Sequence, residues 1–218
     1  MIDKTLAAKS YAHTRYTVDG VPVPGVTTVL GVLAKPALIG WANKMGLQGI
    51  DTSKYVDAAA RAGTACHAMI EAHLKGETFV SDSYDSDTLT LAKNGYTKYI
   101  NWEKGQKLEG VESELQLVSR KGFGGTIDMY CILNGTPTLV DFKTNASGIY
   151  PEMMHQTAGA YRLLLEESGR PVHQVIIIRV GKSAEQDIEI RYIADWQTHS
   201  DIFLTCLRLF NLQKIIKG

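Results

Sequence analysis

Two aspartates and a lysine stand among the apolar residues of "GGTIDMYCILNGTPTLVDFKT", residues 124–144 of the chain. The Asn134-Gly135 pair in the middle of this segment predicts a hairpin with a two-residue type I′ turn, because both central positions of that turn need a positive φ. The turn predicts a register in which Leu133 pairs with Thr136. Counting back along both strands brings residue 128 opposite residue 141.

In this register Asp128 and Asp141 face each other on one side of the hairpin, with Lys143 diagonal to Asp128. Facing like charges destabilise a sheet, and a divalent cation with oxygen ligands would relieve the repulsion. A solvated face with Lys143 as a salt-bridge partner is the alternative, but the apolar neighbours favour a buried site, where unpaired charges are costly. The pattern therefore predicts a divalent-metal site. The opposite face is predicted to be core: Ile127, Met129, Cys131, Val140 and Phe142.

Helical and strand patterns surround this hairpin. The alternating segment around Asp19-Gly20 predicts a small β-ribbon, and Gly76 marks the end of a helix over residues 52–74 that Gly63 could divide in two. The other predicted elements are helices in "KPALIGWANKMG", "SDSYDSDTLTLAKNGYTKYINWEKGQ" and "YPEMMHQTAGAYRLLLEESG", strands in "GVESELQLVSRKGFGG" and "PVHQVIIIRVGKSAEQDIEIRYI", and a last helix capped near Asp195. Helices before and after a central group of strands predict an α/β fold.

Composition limits the classes of function. With 23 basic and 23 acidic residues the formal net charge is +0, so a polyanion would have to be held by a local basic surface. Cys66, Cys131 and Cys206 are far apart and fit reduced thiols better than disulfides. The N-terminal residues are polar, and no run is long enough to cross a bilayer, so we expect a cytoplasmic protein.

Four segments in chain order resemble motifs of the PD-(D/E)XK nuclease superfamily. The resemblance is to its RecB-like branch, which includes phage exonucleases, Cas exonucleases and the mitochondrial genome maintenance exonuclease. The segments are "GTACHAMIEAHLKG", "ESELQLVSRKGFGGTID", "LVDFKT" and "HQTAGAY". The segment "VTTVLGVLAKPALIGWANKMG" is similar to the N-terminal region of phage members, so the resemblance covers about residues 26–180, and the order and spacing make it more specific than any single motif.

The resemblance implies a restriction-endonuclease-like mixed central β-sheet flanked by helices. It implies a single nuclease domain over residues 1–218, with a mainly helical part at 1–108 and the catalytic sheet core at 109–194. A bacterial cell or a phage-infected host cell is the expected setting.

The family's roles can be carried over residue by residue. Asp128, Asp141, the backbone carbonyl of Phe142 and His67 would bind Mg²⁺ or Mn²⁺, and a histidine ligand favours activity with Mn²⁺ as well. Lys143 would help to deprotonate the attacking water or stabilise the charge of the transition state. The three scattered cysteines predict no iron-sulfur cluster, since such clusters use four.

The resemblance also assigns supporting residues. Glu114 lies at the spacing of the family's acidic residue, although Glu112 is an alternative because it points the same way by alternation. Glu71 would orient the His67 ring. A zinc site on His67, Glu71 and His73 is disfavoured, because the spacing is not that of H-E-x-x-H.

Four further residues are predicted to contact DNA. Gln156 and Tyr161 match the family's Gln-Tyr pair, but they are five residues apart where four is usual, which is not the spacing of one α-helical face. Arg120 and Lys121 are expected to contact the DNA backbone from the turn before the catalytic strand.

These residues together predict a metal-dependent DNA exonuclease that hydrolyses phosphodiester bonds. Its substrate would be single-stranded DNA or DNA ends, in recombination, repair or phage DNA processing. Its partner would be DNA, and the sequence leaves open whether a recombinase or helicase also takes part. The alternatives are a structure-specific endonuclease on the same core and a catalytically silent nucleic-acid-binding module.

Overall fold

The computed structural model describes residues 15–217, so the polar segment 1–14 and Gly218 lie outside the described residues. The described chain begins with the predicted ribbon, β1 (Tyr16–Val18) and β2 (Val21–Val23). Asp19 and Gly20 between them have φ values of 49° and 79°. Both are positive, as a type I′ turn requires, so this prediction is confirmed.

A five-stranded sheet forms the centre of the fold, in the order β3-β4-β5-β6-β7. Only β5 and β6 are parallel, and the other neighbours are antiparallel. The bounds are β3 (Leu108–Ser119), β4 (Phe123–Leu133), β5 (Thr136–Lys143), β6 (Gln174–Val180) and β7 (Ile188–Tyr192). The predicted α/β class with a mixed central sheet flanked by helices is confirmed.

Between residue 15 and the sheet the chain forms four helices: α1 (Val26–Leu30), α2 (Pro36–Leu47), α3 (Thr52–Lys75) and α4 (Ser86–Glu103). Asp51 and Asp85 cap α3 and α4 by accepting backbone N–H groups of their first turns. Gly76 ends α3 with a φ of 64°, as predicted. Gly63 does not divide α3, because the helix runs through it without a break.

Both faces of the sheet are buried, which agrees with the long apolar runs in its central strands. On one face Met129, Val140 and Ile178 pack against residues of α3 and α4 such as Ile70 and Tyr99. On the other, Leu139 and Ile177 pack against α1, the segment that joins β5 to β6, and the last helix. A site on these strands is therefore enclosed from two sides.

The prediction that Ile127 shares a face with Met129 is wrong. Ile127 packs in the cluster that contains Tyr130 and Leu139, on the other side of the sheet. Strict alternation fails here because the β3–β4 pairing is interrupted between Leu115–Ile127 and Ser113–Met129, where Glu114 has a φ of 54°. The change of face therefore occurs at Asp128.

The connection from β5 to β6 contains three helical pieces where one helix was predicted. They are α5 (Pro151–Met154), a π-helical segment (His155–Tyr161) and α6 (Arg162–Glu167). The π segment packs on α7 (Trp196–Lys217), and a Cβ added to Gly159 would lie 2.5 Å from the carbonyl oxygen of His199. The cap predicted near Asp195 is confirmed, since its Oδ1 accepts the Thr198 N–H at 3.3 Å.

No helix within residues 15–217 is long and apolar enough to cross a membrane.

Candidate active site

Asp128 occupies the point where the paired part of the β4–β5 hairpin ends. The predicted register is confirmed from Leu133–Thr136 to Met129–Val140, but the ladder stops there, so the predicted facing pair of Asp128 and Asp141 does not form as a strand pair. The Asp128 carboxylate instead accepts the backbone N–H of Phe142 through Oδ2 at 2.7 Å. The Asp128 carboxylate thus replaces the β4 backbone carbonyl that would otherwise accept this N–H. This replacement accounts for the end of the β4–β5 hydrogen-bond ladder.

The imidazole of His67 meets Asp128 from the side of α3. Its Nδ1 lies 3.7 Å from Asp128 Oδ1, and the ring stands edge-on to Phe142 with centroids 6.3 Å apart. Burial disfavours charge on both groups, but their mutual attraction outweighs it. The pKa of His67 is therefore raised and the pKa of Asp128 is lowered.

Asp141 and Lys143 form the second half of the cluster. Asp141 is only 1% exposed, and its Oδ2 lies 2.5 Å from Lys143 Nζ without the angles of a hydrogen bond. Positions two apart on a strand share a face, which explains the contact. Burial, helped by the charge of Asp128 and opposed by Lys143, raises the pKa of Asp141 to about 6.

Gln156 and Tyr161 complete this cluster from the π segment. Lys143 Nζ donates to Gln156 Oε1 at 3.2 Å, and Gln156 Nε2 donates to the Tyr161 hydroxyl at 2.7 Å. A spacing of five residues is that of a π-helix, whose hydrogen bonds join i and i+5, so the two side chains share a face after all. The expectation that the two side chains do not share a helix face is therefore wrong. The additional residue between them is the feature of the sequence that indicates a π-helix.

Glu114 and Glu112 have different surroundings. The flanking pairs Ser113–Met129 and Leu115–Ile127 place Glu114 across from Asp128. Glu112 is held by Arg170, whose Nε and Nη2 donate to its two carboxylate oxygens at 2.9 and 2.7 Å. This pair lowers the pKa of Glu112. Glu114 therefore lies beside the cluster, whereas Glu112 is held by Arg170, a contact that the sequence pattern did not predict. The role of Glu114 stays a prediction.

Glu71 and His73 contact different charged partners. Glu71 is buried and its Oε1 accepts from Lys75 Nζ at 2.5 Å. His73 Nε2 lies 2.6 Å from Glu103 Oε2 on α4. The orienting role predicted for Glu71 stays a prediction.

Arg120 and Lys121 are exposed at the β3–β4 turn. Their backbone N–H groups bind Glu167 Oε1 at 2.8 Å and Ser119 Oγ at 3.0 Å, which hold the turn. The turn lies beyond the N-terminal end of β4, roughly 16 Å along the strand from Asp128 at about 3.3 Å per residue. Their predicted contact with DNA stays a prediction.

The three cysteines are buried and free. Burial raises the pKa of Cys66 and of Cys131 to about 12, so these thiols are not nucleophiles at neutral pH.

The cluster supplies the donor types that a hard divalent cation uses, but not a closed cage. Within residues 15–217 no three His, Cys, Asp or Glu side chains converge closely enough to hold a metal ion. The buried Oδ2 of Asp141 lacks a hydrogen-bond partner there, and the Lys143 ammonium is the cation beside it. Two carboxylates and an imidazole fit Mg²⁺ or Mn²⁺ chemically, and binding would require Lys143 to release Asp141.

Comparisons with known proteins give distant likenesses. No protein-family profile and no curated protein matches the chain. The solved structure of SSO0001 is 11% identical, over 70% of this chain and 74% of that one, with a TM-score of 0.32. LHK-Exo in complex with dAMP is 17% identical, over 72% of this chain and 84% of that one, also with a TM-score of 0.32. At such scores neither likeness bears on function.

Proposed function

We propose that this chain is a metal-dependent deoxyribonuclease that hydrolyses phosphodiester bonds, acting as an exonuclease on single-stranded DNA or on DNA ends. The observation that carries the proposal is the meeting of Asp128, Asp141, Lys143 and His67 at the end of the β4–β5 ladder. These residue types come from two strands and a helix, and the site is enclosed by helices on both faces of the sheet. Burying charged side chains is costly unless each of them has a partner. Buried clusters of charged side chains are therefore typical of functional sites.

Asp128, Asp141, His67 and the backbone carbonyl of Phe142 are the groups that would hold Mg²⁺ or Mn²⁺. The bound ion would polarise a phosphoryl oxygen and lower the pKa of a water molecule. The backbone N–H of Phe142 fixes the orientation of the Asp128 carboxylate through a 2.7 Å hydrogen bond, and His67 lies against its other oxygen. The carboxylate is thereby oriented in advance.

Lys143 is the electrophilic group of the proposed mechanism. Gln156 accepts one hydrogen of its ammonium, and once the metal ion replaces Lys143 beside Asp141, the other donors would be available to a phosphate oxygen. An ammonium at this position stabilises the negative charge that grows on the phosphoryl oxygens as the bond breaks, and it can also orient the attacking water. Glu114, across from Asp128, is proposed to orient that water or to assist in metal binding. Arg120 and Lys121 are proposed to contact the DNA backbone.

Cleavage of end-labelled linear and of circular single-stranded DNA, each with Mg²⁺ or Mn²⁺, tests the proposal. We expect linear strands to be degraded and circles to survive. Lys143→Ala should reduce the rate by at least roughly 100-fold, the size of a lost transition-state donor. Lys107→Ala is the control, because Lys107 pairs with exposed Glu109 at the far end of the β4–β5 hairpin.

Each result has a defined meaning. Cleavage of circular strands would show that the activity is that of an endonuclease on the same core and not of an exonuclease. A wild-type chain that binds DNA but shows no metal-dependent cleavage would leave only a binding module and overturn the proposed reaction. Equal rates for Lys143→Ala and the wild type would remove the proposed role of Lys143.

A further inference from the structure

Lys182, in the connection from β6 to β7, is a half-buried cation without an acidic partner. Its Nζ donates to the carbonyl oxygen of Ala59 in α3 at 2.6 Å. In the part of the chain that the structure describes, no carboxylate lies within ion-pair distance of this ammonium. Burial lowers the pKa of Lys182, so the charged form is held at a cost. An ammonium has three donors, and one of them is used by Ala59.

A glycine on α3 opens a space beside this lysine. A Cβ added to Gly63 would lie 2.6 Å from the hydroxyl oxygen of Thr144 and 3.7 Å from Lys182 Nζ. The hydroxyl and the ammonium therefore approach the same point on the helix surface, and any side chain there would fill it. A helix-interior glycine costs about 1 kcal/mol relative to alanine, so its presence calls for a reason such as this clearance.

The backbone that carries Lys182 is fixed by other residues. Lys98 Nζ donates to the carbonyl oxygens of Gly181 and Ser183 at 2.8 and 2.6 Å. Asn94 Nδ2 donates to the carbonyl oxygen of Lys182 itself at 3.0 Å. Since α4 already holds the connection, the Lys182 side chain is available for a second role.

The position of this pair relates it to the cluster of charged residues. Thr144 follows Lys143 directly, and the parallel pairing of β5 with β6 brings the connection after β6 to the same edge of the sheet. Gly63 and His67 lie four residues apart on α3, so they share a face at a separation of about 6 Å. That distance is comparable with the step between neighbouring phosphates of an extended strand.

We propose that the Lys182 ammonium and the Thr144 hydroxyl bind a phosphate of the nucleic-acid strand next to the one that is cleaved. The inference rests on the proposed function and adds a second phosphate subsite along α3. A phosphate at this point would supply the negative charge that the half-buried lysine lacks, and it would need the clearance that Gly63 provides. The contact positions the strand, and it carries no sequence information.

Equilibrium binding of a fluorescent single-stranded oligonucleotide in EDTA, over a tenfold range of salt, tests this subsite without cleavage. Lys182→Gln should weaken binding by about tenfold, as expected for one charge-assisted contact. It should also reduce the slope of log K against log[salt] by about 0.7, the value for one phosphate of a single strand. Lys182→Arg should keep the slope. Lys107→Gln, at the opposite end of the sheet, is the matched control.

Thr144→Val tests the hydroxyl separately and keeps the shape of the side chain. We expect roughly threefold weaker binding and an unchanged salt slope, because a neutral donor is lost. This variant decides the question if Lys182→Gln loses its fold, which circular dichroism would show. Wild-type affinity and slope in folded Lys182→Gln, or wild-type affinity in Thr144→Val, would overturn the subsite alone. Absence of oligonucleotide binding by the wild type would overturn the proposed function as well.

Discussion

Gln156 Nε2 donates a hydrogen bond of 2.7 Å to the Tyr161 hydroxyl across five residues of chain, because the segment between them is a π-helix. The other end of the same amide accepts from Lys143. Because the Lys143 ammonium can only donate, the amide oxygen must face the lysine, and the amide nitrogen is then anchored by the Tyr161 hydroxyl. Through this chain of contacts a buried tyrosine positions the ammonium beside Asp141.

Tyr161→Phe removes the acceptor of this chain without changing the shape of the ring. We expect kcat to fall by about tenfold with little change in KM, because the Gln156 amide loses the hydrogen bond that anchors it and holds Lys143 less firmly in position. The free energy of unfolding should fall by about 1 kcal/mol. Tyr130→Phe is the matched control, since it removes a hydrogen bond from Tyr130 to the Pro171 carbonyl oxygen that has no link to Lys143. Equal rates for the two variants would contradict the positioning role.

Lys143→Ala separates metal binding from catalysis. The variant leaves the buried carboxylate of Asp141 without its cation, so the metal-free protein should lose about 3 kcal/mol of stability. Mn²⁺ should then raise the Tm of the variant more than the Tm of the wild type, because no ammonium competes for Asp141 Oδ2. Differential scanning fluorimetry with and without Mn²⁺ measures both shifts. A smaller Mn²⁺ shift in the variant would show that the lysine does not occupy the metal's place.

Glu114→Gln and Glu112→Gln form a pair that resolves the choice between two acidic residues. We expect the first to lower kcat by roughly 10- to 100-fold, the range seen for groups that support a metal site. The second breaks the ion pair with Arg170 and should cost about 0.5–1 kcal/mol of stability, with the rate within about twofold of wild type. DNA cleavage rates and thermal unfolding of both variants check this. If Glu112→Gln lowers the cleavage rate more than Glu114→Gln does, Glu112 and not Glu114 is the acidic residue that supports the reaction.

His155 and His199 predict an acid-sensitive contact between the π segment and α7. Their Nδ1 atoms are 2.9 Å apart, and burial lowers the pKa of each ring. The charge of each carboxylate beside them, Glu152 for the first and Asp195 for the second, opposes this only in part. Since the unfolded chain binds protons on both rings more readily, the contribution of this pair to stability should fall as the pH drops through the ordinary histidine pKa of about 6.5.

The Tm at pH 7.5 and pH 5.5 measures this effect. His199→Gln should lose less Tm between the two values than the wild type, because it removes one of the two rings and the repulsion between them. His173→Gln removes an imidazole outside the pair and is the control. An equal loss of Tm in His199→Gln and the wild type would place the acid sensitivity elsewhere.

The sequence by itself determined the features that depend on neighbouring residues. Asn134-Gly135 determined the register down to Met129–Val140, because a two-residue turn leaves little choice of pairing. Gly76 marked the end of α3 and Asp195 the start of α7. A left-handed glycine and a capping carboxylate each depend on contacts within one helical turn, so the local sequence is enough to identify them. The motifs also identified the charged residues that meet at the end of the ladder.

Only the tertiary structure decided features that depend on distant contacts. The Asp128 carboxylate accepts the N–H of Phe142 and thereby ends the β4–β5 pairing. Counting residues from the turn does not predict this contact. The π segment is packed with Gly159 against the carbonyl oxygen of His199, so its geometry depends on a helix 40 residues away in the chain. Glu112 is engaged by Arg170, 58 residues on. Local patterns specify turns and caps, whereas burial and long-range pairing choose which of the candidate side chains meet.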